Sequence, residues 1–221
     1  MTAQNRFTLT MICFSVLIAG TLLIKQTASS EQAKIELVGI DYAEMNKAVE
    51  LVLEDMPEIE TELQWIRSSV KPMTTDHSFS TNKTKFRIRV KNHLIKEEHS
   101  SSFLSGIAEK QTNRYKDMLE ISKTEYKIRL TEEEVDDYIK QNVTTVWNRD
   151  KRKYAKALGL TLDELDYAFD RDVYAMDALW QKLLPIAIEE YPRHRGEEGE
   201  AYKVRVKEEF FSMEKKSEDE N

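Results

Sequence analysis

Residues 155–185 read AKALGLTLDELDYAFDRDVYAMDALWQKLLP, and this stretch decides the fold. Gly159 suits the left-handed stop of a helix near Tyr154 to Leu158, where a residue without a Cβ meets no steric penalty. Thr161 then supplies an N-cap hydroxyl. Glu164, three residues on, completes a capping box, and Leu160 and Leu165 form a hydrophobic staple across it. Leu165, Phe169, Val173, Met176, Trp180, Leu183 and Leu184 follow at helical spacings and predict one long helix with a single apolar face. Pro185 and Pro192 mark its decline, because proline lacks the N–H that the helix interior needs.

The same device occurs upstream in Leu130-Thr131-Glu132-Glu133-Glu134-Val135, with Thr131 as cap, Glu134 as its answer and Leu130 stapled to Val135. The helix it opens carries Val135, Tyr138, Ile139, Val143 and Val146 on one face. Nearer the N-terminus, Met45, Val49, Val52 and Leu53 predict a helix that stops at Pro57. Ile59, Leu63 and Ile66 predict another over 58–70. The Ser-, Thr- and Asn-rich run 71–85 reads as a loop. Phe86-Arg87-Ile88-Arg89-Val90 alternates apolar and basic, which fits either a short strand or the start of a helix. Residues 92–98 and 103–124 read as helix, broken at the serines 100–102. A last amphipathic helix spans 201–213, and a charged tail starting at Glu214 is expected to be disordered. With 6 Gly and 4 Pro in 221 residues, the turn-forming residues that a many-stranded sheet consumes are scarce. The expected fold is mainly all-α.

Phe7 to Ile24, FTLTMICFSVLIAGTLLI, carries no charge. Eighteen residues of helix rise about 27 Å, close to the roughly 30 Å of a bilayer's hydrocarbon core. We read residues 7–24 as a signal anchor, because the run exceeds the apolar length of about 7–15 residues usual in a cleaved signal peptide. Cleavage near Ser30, after Ala28-Ser29, would instead give a secreted form. Arg6 and Lys25 flank the segment without deciding its orientation; the short N-terminal tail predicts that residues 31–221 lie outside the cytoplasm. The lone Cys13 lies within the segment and excludes an internal disulfide and a cysteine-rich zinc site. Thr10-Met11-Ile12 before it departs from a lipoprotein signal. No acid precedes Glu31, and only Arg6 and Lys25 are basic there, so residues 31–221 carry a net charge two below the −7 of the chain. Such a domain is repelled by phosphate backbones, and no nucleic acid is expected as partner. The chain divides into residues 1–30 (tail and anchor), 31–90 (helices and a loop), 91–192 (the main helical domain) and 193–221 (a last helix and charged tail).

No residue pattern points to catalysis, a cofactor or a metal. His93 and His99 are six apart, which turns a helix by about 240° and separates their side chains, whereas a zinc helix needs histidines four apart. The acids Glu132, Glu133, Glu134, Asp136 and Asp137 fit stabilisation of a helix N-terminus, and lack the glycine of a calcium loop. Asp163, Asp166 and Asp170 line one helical face, read as solvated.

Two phrases, DMLEISKTEYKIRLTEEEVDDYI at 117–139 and AKALGLTLDELDYAFDRDVYAMDALWQKLLP at 155–185, together make the stretch from Asp117 to Tyr191 resemble the N-terminal chaperone domain of the SurA and PrsA group of exported foldases. The shared elements are a Lys-rich turn, a Thr-x-Glu-Glu-Val helix start, a Gly-Leu-Thr phrase, an internal Arg (Arg171) and a Leu-rich helix end. The resemblance covers 75 of 221 residues. Foldases of this group carry a parvulin-type isomerase domain afterwards, for which the 30 residues after Tyr191 leave no room. The resemblance therefore implies a SurA N-terminal-like domain that binds unfolded or newly exported polypeptides without isomerase activity. Trp147, Tyr154, Tyr167, Tyr174 and Trp180 are the candidate client-binding surface, with ordinary core packing as the alternative for Trp180 above all. A structural or regulatory protein with one dedicated partner is the competing reading.

Overall fold

The computed structural model describes residues 42–69, 73–144 and 149–218. The apolar segment 7–24, the tether after it, Val146 and Trp147 lie outside the described residues. Among the described residues ten α-helices follow one another: α1 (Tyr42–Asp55), α2 (Pro57–Ser68), α3 (Thr75–Ser78), α4 (Thr81–Ile95), α5 (Ser101–Thr124), α6 (Glu132–Tyr138), α7 (Arg149–Ala157), α8 (Leu162–Glu164), α9 (Arg171–Glu190) and α10 (Gly199–Glu218). Among the described residues there is no strand, and no helix is long and apolar enough to cross a membrane.

The helix boundaries follow local chemistry. Pro57 occupies the first position of α2, where its missing N–H is no loss, and Met56 before it is fully buried. Both capping boxes are formed, at Thr131 with Glu134 and at Thr161 with Glu164. Gly159 ends α7 with φ +67°: its N–H donates to Lys156 O at 3.0 Å and that of Leu160 to Ala155 O at 2.9 Å, the two bonds of a Schellman motif. Helix α4 ends the same way at Lys96, φ 57°, with the Glu97 N–H on Asn92 O at 2.9 Å, although lysine carries a Cβ.

Five expectations are corrected. The run 71–85 is not all loop: it contains α3 and the start of α4, which Ser80 caps by accepting from the Lys83 N–H. Phe86 to Val90 is the middle of α4, so the boundary drawn at residue 90 falls inside a helix. Pro185 does not end α9, which runs on to Glu190. Pro185 and Gln181, whose carbonyl loses its partner, are both exposed, so water can replace the missing bond. The predicted long helix after Thr161 is two helices. α8 continues as a π-helical turn over Leu165–Phe169, the chain leaves helical geometry at Asp170, and α9 starts afresh. Helix α6 likewise continues as a π-helical turn over Ile139–Val143. The last helix extends to Glu218, beyond Glu214.

Two apolar cores result. The first gathers Val49, Val52, Ile59, Leu63, Phe86 and Leu165 with other residues of α1, α2, α4, α7 and α8. The second gathers Met118, Val135, Ile139, Leu179, Leu183 and Val206 with other residues of α5, α6, α9 and α10. Phe169 closes the first and Val173 opens the second, so the joint between α8 and α9 is where they meet.

The two left-handed stops give opposite predictions. Lys96→Gly relieves a strained φ and should raise stability by about 1 kcal/mol in urea denaturation. Gly159→Ala should lower it by at least about 1 kcal/mol, since its Cβ also meets the Arg67 guanidinium at 2.6 Å.

Candidate functional site at the seam between the cores

The break at Asp170 creates a problem that α4 solves. A π-helical turn ending at Phe169 leaves the carbonyls of Ala168 and Phe169 without helical donors in a buried place, and buried carbonyls need partners. Lys83 and Arg87, one turn apart on α4, reach them. Lys83 Nζ donates to Phe169 O at 2.8 Å and Ala168 O at 3.3 Å, and Arg87 Nη2 donates to Phe169 O at 2.7 Å. Both cations lie over the Phe169 ring, at 5.7 and 5.4 Å from its centre. Phe86, between them in sequence, meets the same ring edge-on at 6.0 Å.

Two buried cations require anions. Asp172 receives Arg87 as a fork, Nη1 to Oδ2 and Nη2 to Oδ1, each at 2.8 Å, and Lys83 stands 3.5 Å from Oδ1. Asp170 accepts from Arg87 Nε at 3.3 Å. Burial pushes the Asp172 carboxyl up, but Arg87 and Lys83 outweigh it and hold it below the ordinary range. Burial lowers Lys83 against the pull of Asp172, and raises Asp170 against the pull of Arg87. Arg87 and Asp172 thus favour each other's charged forms.

Arg171, between the two aspartates, turns the other way. It is 2% exposed and donates from Nη1 to Asp136 Oδ1 at 2.5 Å and from Nη2 to Glu132 Oε2 at 2.7 Å, both on α6. Glu132 also accepts from the N–H of Thr75 at 2.9 Å and from its hydroxyl at 3.0 Å, which fastens α3 to the same point. The acidic start of α6 thus ties three elements together, beyond the helix stabilisation read from sequence. Asp163, Asp166 and Asp170 are corrected too. Only Asp163 is exposed; Asp166 is buried, pairs with Lys151 of α7 at 2.5 Å, and is pushed up by burial to about 6.

The aromatic candidates do not share one surface. Tyr174 is 3% exposed, inside the second core. Tyr167 and Trp180 are half-buried against that core, Trp180 edge-on to Phe210 at 5.9 Å, while Tyr154 is half-buried against the first core. Trp147 lies outside the described residues. His93 and His99 are both exposed, His99 against the Phe103 ring at 5.0 Å, and among the described residues no group of His, Cys, Asp and Glu is placed to hold a metal ion. The bonds of Lys83 and Arg87 to residues 168–172 make the seam a clamp on a helix joint.

One buried carboxylate is less well served. Asp177 Oδ2, on α9, is buried without a hydrogen-bond partner. Burial pushes the group up to about 6 against the attraction of Lys207, whose own ammonium burial lowers. Lys207 Nζ sits 5.8 Å from the centre of the Trp180 ring. Burial also raises the nearby Tyr138 phenol, and Asp177 adds to it.

No family model matches the chain, and neither a curated protein nor a solved structure matches it.

Sequence reasoning missed Lys83 and Arg87, since one fell in a presumed loop and the other in a two-residue alternation. The available signal was their spacing of four, in phase with Phe86 and Val90. Asp172→Ala should cost about 3–5 kcal/mol in urea denaturation, because it strands Arg87 and Lys83 in the seam. Replacing Asp172 and Arg87 together by Leu and Met should cost far less than the sum of the single changes. Asp177 binds its proton more tightly folded than unfolded, so its contribution is full below pH 3.8 and is lost as pH rises through about 6. Asp177→Asn should therefore gain on the order of 1–2 kcal/mol at pH 7–8 relative to the parent, a difference that vanishes towards pH 4 in paired melts.

Proposed function

We propose that the chain is a membrane-anchored domain working outside the cytoplasm, that it binds polypeptide rather than performing catalysis, and that it serves one dedicated partner. The apolar segment 7–24 supports the anchor. The way apolar side chains reach the surface supports the dedicated partner and carries the reading. Among the described residues the large exposed ones are Leu51, Trp65, Ile95, Phe103, Ile188 and Val204, spread over six helices. Ile95 and Phe103 flank the hand-over from α4 to α5, and Ile188 and Val204 that from α9 to α10, two side chains at each place. Broad capture of unfolded chains calls for a continuous apolar groove, whereas a single small contact suits a specific partner.

The chaperone-like reading, binding unfolded or newly exported chains, rests on the resemblance over 117–191. One comparison separates the two. The full chain in vesicles is tested for suppression of aggregation with several unrelated unfolded proteins, beside Phe103→Ser. General suppression would favour the chaperone. The dedicated-partner reading expects no suppression, together with one discrete product from a photo-crosslinker at position 103 in native membranes; a continuous smear of products would sink it.

A further inference from the structure

Helix α10 packs on α9 and closes the second core with Tyr202, Val206 and Phe210, whose spacing of four puts them on one helical face. Its two ends are held differently. The first is fastened by polar bonds near the turn that joins it to α9. The Tyr202 hydroxyl donates to Tyr191 O at 2.9 Å and to Ile188 O at 3.3 Å. Arg205 donates to Glu197 from Nε at 2.8 Å and from Nη2 at 2.9 Å, and to Pro192 O at 3.0 Å. Gly196 gives that turn a φ of +82°, with nothing within 4 Å of where a Cβ would stand. Beyond Val206, rings make the contact. Phe210 meets Tyr126 at 5.3 Å and Trp180 at 5.9 Å, and Lys207 Nζ stands 5.8 Å from the centre of the Trp180 ring. Near Lys207 lies the Asp177 carboxyl, whose buried Oδ2 has no hydrogen-bond partner. Such a group is held at a cost when charged, and lifting the covering helix into water removes that cost.

We propose that α10 is a strap, hinged at its Tyr202–Arg205 end, whose Lys207–Phe210 end lifts from α9 when Asp177 is ionised. The groups around Asp177 set the pH range. Lys207 faces it from α10, the Tyr138 phenol from α6 and the Tyr115 phenol from α5. Among the described residues no titratable group of α3, which also packs on α9, acts on it. Burial raises both phenols, so they stay neutral through the neutral range. Burial opposes the Lys207 ammonium as well, so the closed strap disfavours both charges. Under the strap, burial raises Asp177 from 3.8 to about 6. The closed strap therefore binds the proton more tightly than the open one; it is favoured in acid and loses that advantage as pH rises through about 6. Between pH 5 and pH 8 the opening equilibrium should rise roughly tenfold. Opening uncovers the rings of Trp180 and Tyr126, so one carboxyl controls access to an aromatic surface.

Amide exchange of the full chain in neutral detergent tests this, with protection expressed against an unstructured peptide at the same pH. Amides of residues 206–210 should be less protected than those of α9 at every pH, the mark of an opening smaller than global unfolding. Their protection should fall roughly tenfold from pH 5 to pH 8 in the parent. It should stay level in Asp177→Asn, which keeps the size of the carboxyl and removes its charge, and in Asp177→Ser, which repeats the comparison without the amide. Equal protection of residues 206–210 and α9 would overturn the strap, since α10 would then open only with the whole molecule. Protection in α10 that does not change with pH in the parent, or a fall that persists in both variants, would overturn the control by Asp177 and the proposal with it.

Discussion

The Arg87–Asp172 fork is the interaction on which the rest of the structure depends. It lies where two apolar cores meet, and it holds α4 against the joint between α8 and α9. Without donors from α4, the carbonyls of Ala168 and Phe169 would be stranded inside the protein. A buried ion pair of this kind adds little net stability over well-packed apolar residues. It does penalise any arrangement in which one partner is missing, so it selects one register of α4 against the joint.

Four consecutive residues show how one joint organises the molecule. Phe169 enters the first core, Asp170 and Asp172 face α4, and Arg171 faces α6 and, through Glu132, α3. A continuous helix would bring successive side chains round at about 100° each. Leaving helical geometry at Asp170 resets the phase, so the apolar face of α9 looks into a different core from that of α8. The π-helical turn before it is the local expression of that reset.

The charged seam is consumed by the fold: its buried groups are spent on one another and on the carbonyls of the helix joint. Among the described residues, the large exposed apolar side chains are spread over six helices.

The sequence by itself determined the helical class, both capping boxes, the Gly159 stop and most apolar faces, because each depends on residues within a turn or two of one another. Ile59, Leu63 and Ile66, or Val135 and Ile139, are buried as their spacing predicts. The tertiary structure alone decided which charges go inside. Lys83, Arg87, Asp166, Arg171 and Asp172 resemble surface residues in any local window. They are tolerated within the protein only because segments 15 to 89 residues away supply the opposite charge or an open carbonyl. The same reason hid the helical state of Phe86 to Val90. Its alternation fits a strand until Arg87 has a buried fork to fill, and that fork exists only once α9 is in place.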